Sequence, residues 1–91
     1  MAHNIDKTLI ALKKAQTSIN KIINMLENDK YCIDVIQQNL AVIGLIKSAN
    51  LSLLEGHVNN CVKNACMEGK KKRVNEMMDE LLKVVKTAQN K

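Results

Sequence analysis

The feature that most restricts the fold is the stretch from Tyr31 to about Met67. It contains no proline, and its only glycines are Gly44 and Gly56. Its apolar residues are spread broadly: Ile33, Val35, Ile36, Leu40, Val42, Ile43, Leu45, Ile46, Leu51, Leu53, Leu54, Val58 and Val62. Nothing in it breaks a helix, and a helix apolar over much of its circumference must be covered on more than one side. A chain of 91 residues has too little mass to cover it alone, so the pattern predicts at least a dimer.

Two shorter helices flank this one. From Ile5 the apolar positions run Ile5, Leu9, Leu12, Ala15, Ile19, Ile22, Ile23 and Leu26, in steps of mostly three and four residues that predict an amphipathic helix over about 5–27. "ENDK" at 27–30 reads as a turn, with Asn28 or Asp29 able to cap the long helix over about 31–67. Gly69 in "MEGKKKR" is a natural stop, and Val74, Met77, Met78, Leu81, Leu82, Val84 and Val85 mark a third helix over about 72–87. The tail "KTAQNK" is expected to fray. The fold class is therefore all-α, a single domain over 1–91 with three helices, short, long and short. With Tyr31 its only aromatic and no Phe or Trp, the chain suits a helical bundle better than a sheet.

No apolar run at the start is long enough for a secretory or membrane segment, which places the chain in the cytoplasm with its three cysteines reduced. Reduced cysteines there serve as ligands or redox groups more often than as disulfide partners. The net charge of +5 is compatible with a polyanionic partner and equally with solvated lysines. No nucleophile–base–acid set and no phosphate-binding glycine loop is present, so an enzyme is not expected.

The chemistry-bearing residues are Cys32, His57 and Cys61. His57 and Cys61, four apart, share one helix face. Cys32 lies 25 positions before His57, roughly 37 Å along a continuous helix at 1.5 Å per residue, so one chain cannot close all three around an ion. An antiparallel pair of long helices crossing near Leu45 brings Cys32 of one chain level with His57 and Cys61 of the other, and two-fold symmetry makes two such sites. Ala41, Gly44, Ser48 and Ala49 around the crossing are small enough for close approach. Two thiolates and an imidazole suit a soft ion; three-coordinate sites of this kind favour Cu(I), whereas zinc usually takes a fourth ligand. On spacing alone, the cysteines also fit as small buried hydrophobes.

"YCIDVIQQ" followed by "LSLLEGHVNNCV", with these intervals from Cys32 to His57 and Cys61, resembles the CsoR/RcnR family of bacterial metal-sensing repressors, and the Cys–His–Cys set resembles its copper(I)-responsive branch. The likeness extends over about residues 7–86. It implies an all-helical dimer assembling to a tetramer, whose metal-free form binds double-stranded operator DNA. It further implies that Cu(I) at Cys32, His57 and Cys61 weakens that binding and releases copper-efflux genes. Tyr31 and, less directly, Glu76 match residues that support the ligands, a role open to a phenol or carboxylate that steadies the imidazole through its second nitrogen. His57 argues against the persulfide-sensing branch and Cys61 against the formaldehyde-sensing one. His3 lies about three residues off the nickel/cobalt branch's register and is read as tail.

The chain departs from the family's pattern where DNA is bound. "AVIGLIK" puts Ile43 where the family carries a basic residue, and "LKKAQTSI" has Lys13 and Lys14 in place of an arginine-rich segment. Lys13, Lys14 and Lys47 remain as candidate DNA contacts; with Lys7 and Lys21 they read either as a basic face or as an ordinary solvated surface. The alternatives are a copper- or thiol-binding member without operator recognition, and a persulfide or thiol-redox repressor. "KKKR" at 70–73 departs from an often acidic loop, and Cys66 is an additional thiol, about 140° around an ideal helix from Cys61.

Overall fold

The computed structural model describes residues 5–89, and among them every regular element is helical. Helix α1 spans Ile5–Glu27 and α2 spans Cys32–Gly56; a π-helical segment, His57–Val62, follows without a break, then α3, Lys63–Met67, and α4, Lys71–Gln89. The stretch from Cys32 to Met67 expected to be helical is thus helical throughout, as three consecutive elements. The tail expected to fray is helical as far as Gln89. His3 lies outside the described residues. The chain divides into two compact units, residues 1–55 and 56–91.

In the first unit α1 and α2 form a hairpin. Ala15 and Ile22 of α1 share a buried cluster with Val35 and Val42 of α2, and Met25 and Leu45 pack against it. The buried and half-buried positions of α1 are Thr8, Ala11, Ala15, Ser18, Ile22 and Met25; those of α2 within this unit are Val35, Gln38, Val42, Leu45, Ala49 and Ser52. Both sets alternate steps of three and four, the 3.5-residue repeat that keeps two helices in register along a left-handed seam.

This seam is not the one expected for α1. Ile5, Leu9, Leu12, Ile19, Ile23 and Leu26 are exposed, and of the anticipated stripe only Ala15 and Ile22 are buried. The physical reason is that α1 has two apolar faces. The face rich in small side chains permits the closer approach and takes the hairpin, leaving the larger aliphatics outside. On α2 a second row, Ile33, Ile36, Leu40, Ile43, Leu51 and Leu54, is likewise exposed.

The turn between α1 and α2 also differs from expectation. Neither Asn28 nor Asp29 caps α2. Asp29 adopts a left-handed conformation (φ 53°). Its N–H donates to the Leu26 carbonyl at 3.2 Å, that of Lys30 donates to Met25 at 3.0 Å, and the Asn28 amide donates to the Asn24 carbonyl at 2.8 Å. These bonds satisfy the last carbonyls of α1, which would otherwise lack partners. Tyr31 opens α2 through its backbone, its carbonyl accepting from Asp34 and Val35.

The second unit is built around Val62, Ala65 and Met77, with Cys61 and Val74 packed against them. Helix α3 stops as its sequence implied: Gly69 is left-handed (φ 70°), and the N–H groups of Gly69 and Lys70 donate back to Cys66 and Ala65 at 3.1 Å each. Helix α4 turns Met77 into the core, with Val74 and Leu81 half-buried on the same face. Met78, Leu82, Val84 and Val85 face outward.

Candidate metal centre

His57 and Cys61 fall inside the π-helical segment. The N–H of Lys63, which ends it, reaches the carbonyl of Val58, five residues back, as well as that of Asn60. This pattern marks a turn holding one more residue than an α-turn, and single π turns of this kind concentrate at functional sites. The Asn60 side chain donates to the Gly56 carbonyl at 2.9 Å, giving that carbonyl a partner where the helical ladder changes pitch. Both His57 and Cys61 are half-buried, and a residue four positions on in a widened turn has come back nearly a full turn. The imidazole and thiol therefore occupy the same sector of the helix, while Cys61 also leans on the cluster that joins α3 to α4. The sequence reading did not detect this wider turn, because π and α turns draw on the same residue types.

Cys32 is the first residue of α2 and is exposed; none of the three cysteines is in a disulfide. Tyr31, immediately before it, is 68% exposed. Among the described residues, no three His, Cys, Asp or Glu side chains of a single chain gather to hold an ion. The 25 residues of α2, roughly 37 Å of helix, separate Cys32 from the segment carrying His57.

Glu76 lies on α4 and is paired with Arg73 at 3.5 Å; the same guanidinium reaches Glu80 at 3.9 Å. Cys66 is exposed on α3, an environment unlike that of Cys61. Lys13 and Lys14 are exposed on α1 and line a shallow groove with Ile10, Thr17, Ser18 and Leu45. Lys47 is exposed on α2, flanked in the outer apolar row by Ile43 and Leu51. Of the small residues expected at a helix crossing, Ala49 is committed to the hairpin seam, at 2% exposure. Ala41, Gly44 and Ser48 remain exposed, and a Cβ added at Gly44 would meet nothing within 4 Å.

A family model described as a metal-sensitive transcriptional repressor matches residues 4–87. The chain belongs to the metal-sensitive transcriptional repressor family. Among its relatives, the copper-sensing transcriptional repressor CsoR of Bacillus subtilis is 35% identical over 83 residues, 90% of this chain and 82% of the relative. The protein of the same name from Mycobacterium ulcerans is 37% identical over 90 residues, 94% of this chain and 74% of its own. The copper-sensing transcriptional repressor RicR of Mycobacterium tuberculosis is 41% identical over 58 residues, 64% of this chain and 60% of its own. No solved structure is a significant match. The family membership agrees with the resemblance read from the segments around Cys32 and His57. No helix of the described residues is long and apolar enough to cross a membrane.

Proposed function

We propose that this protein is a copper(I)-responsive transcriptional repressor acting in the bacterial cytoplasm. Its metal-free form binds operator DNA, and copper weakens that binding so that copper-efflux genes are expressed. The observation that carries this reading is the likeness, over most of the chain, to proteins named copper-sensing repressors. The donor chemistry supports it: two thiolates and one imidazole favour a soft monovalent ion.

His57 and Cys61 supply two ligands from one π turn, and Cys32 of a second chain supplies the third. The length of α2 supports a shared site, and so do the large aliphatic side chains that α1 and α2 leave uncovered, which a second chain would bury. Two such dimers form the tetramer. Cys32 of one chain and His57 and Cys61 of the other would hold the ion, which would then link the two chains. Because Cys61 packs on the α3–α4 cluster, a shift of its thiol on binding metal is felt by α4, a route for coupling metal to the rest of the protein. Tyr31 and Glu76 support the ligands. Lys13, Lys14 and Lys47 contact DNA phosphates.

The test is fluorescence anisotropy of the DNA upstream of the protein's own gene, titrated anaerobically with metal-free protein and then with Cu(I). Binding that copper reverses, and a Cu(I) chelator restores, is the expected result. Binding that copper leaves unchanged removes copper as the signal. Ile43 favours one second reading, a copper binder without operator recognition, for which metal binding persists and no specific DNA complex forms.

A further inference from the structure

The positive charge of this chain is unevenly placed. Residues 1–55 carry six Lys and Arg against five Asp and Glu, whereas residues 56–91 carry eight against four. The first unit, which holds Lys13, Lys14 and Lys47, is therefore nearly neutral. A DNA-binding protein draws most of its sequence-independent affinity from neutralised phosphates, and a nearly neutral unit brings little net positive charge to them.

The excess charge is densest at Lys70, Lys71, Lys72 and Arg73, where α4 begins. All four are exposed. Lys70 pairs with Glu68 at 2.8 Å, and Arg73 divides itself between Glu76 and Glu80. Lys71 and Lys72 have no carboxylate partner among the described residues. The first turn of α4 holds no acidic residue, so four cations stand where the helix dipole disfavours them, an arrangement that costs stability in the free protein and that an anionic partner relieves. Lys70 and Lys71 also border a shallow groove with Gly69 and Asn75, open enough to admit a phosphate group.

We infer that the segment Lys70–Arg73 is a phosphate-contacting surface for duplex DNA and carries the larger part of this protein's electrostatic binding. The choice of DNA over other polyanions rests on the repressor reading above; the surface itself does not.

The experiment compares wild type, the triple variant Lys70→Gln, Lys71→Gln, Lys72→Gln, and the double variant Lys13→Gln, Lys14→Gln. Anisotropy is measured between 50 and 200 mM salt, about the range over which counterion release is well resolved, on an arbitrary duplex and on the upstream DNA. The triple variant is expected to flatten the log–log salt slope by about three per engaged chain and to weaken binding more than about tenfold on both duplexes. The double variant loses less. Removing three cations from a helix start relieves repulsion, so circular dichroism and Cu(I) stoichiometry stay at wild-type values. An unchanged slope and affinity in the triple variant overturns the inference, as does a larger loss in the double variant. Wild type that binds anionic vesicles and no duplex overturns it too. If wild type binds both duplexes equally, the repressor reading fails, yet a flattened slope on the arbitrary duplex still upholds the surface.

Discussion

A shared metal site makes a quantitative prediction about mixed oligomers. In the proposed site, Cys32 opens α2 and His57 follows its last residue, with roughly 37 Å of helix between them, so the proposal requires two chains to hold each ion. A Cys32→Ala protein and a Cys61→Ala protein each lack a ligand in every site, and neither alone forms a complete one. Unfolded together in equal amounts and refolded, the chains assort at random, and about half of the dimers pair one chain of each kind. In such a dimer one site has lost both cysteines and the other has lost none. The mixture therefore regains about a quarter of the wild-type number of complete sites. The assay is anaerobic competition with a colorimetric Cu(I) chelator, set so that only the complete site competes, with the two variants refolded separately as the baseline. A mixture that binds no more copper than the separate variants refutes the shared site. Full-stoichiometry tight binding by either variant alone removes that cysteine from the ligand set.

Other perturbations test the hairpin, the turns and the assembly. Ile22→Ala, at a position 7% exposed in the α1–α2 cluster, should cost about 2–4 kcal/mol in urea unfolding, counting lost burial and the cavity left behind. Gly69→Ala should lower stability by about 1 kcal/mol, because the left-handed backbone penalises any Cβ although the space around it is open. Asp29→Gly should raise stability by up to about 0.5–1 kcal/mol for the converse reason; an unchanged melting temperature would count against its left-handed conformation. Leu40→Glu, on the outer row of α2 at 60% exposure, leaves the hairpin intact by circular dichroism and shifts the mass from light scattering toward a monomer. An unaltered mass would show that this row is not the interface.

The helix ends were legible because they depend on local chemistry. Gly69 is the one residue near the end of α3 that enters a left-handed turn without strain, and it is where that helix stops. The turn at 27–30 was legible as a turn, but its internal assignment was not. Asn and Asp serve helix starts and left-handed helix ends equally well, and the unsatisfied carbonyls of α1 decided the matter. The spacing of Cys32, His57 and Cys61 could be read directly, since one dimension suffices to say that 25 residues of helix cannot fold back on themselves. The π turn around His57 and Cys61 could not, because it depends on which carbonyl each N–H meets.

By itself, then, the sequence determined the helical class, the helix ends and the family, all of which follow from properties of neighbouring residues or from spacing along one chain. Only the tertiary structure decided which face of each helix is buried. The periodicity of α1 admits a seam of Leu and Ile as readily as one of Thr8, Ala11 and Ala15, and the choice depends on how closely α2 approaches. The small residues win that contact, and the large aliphatics are left exposed.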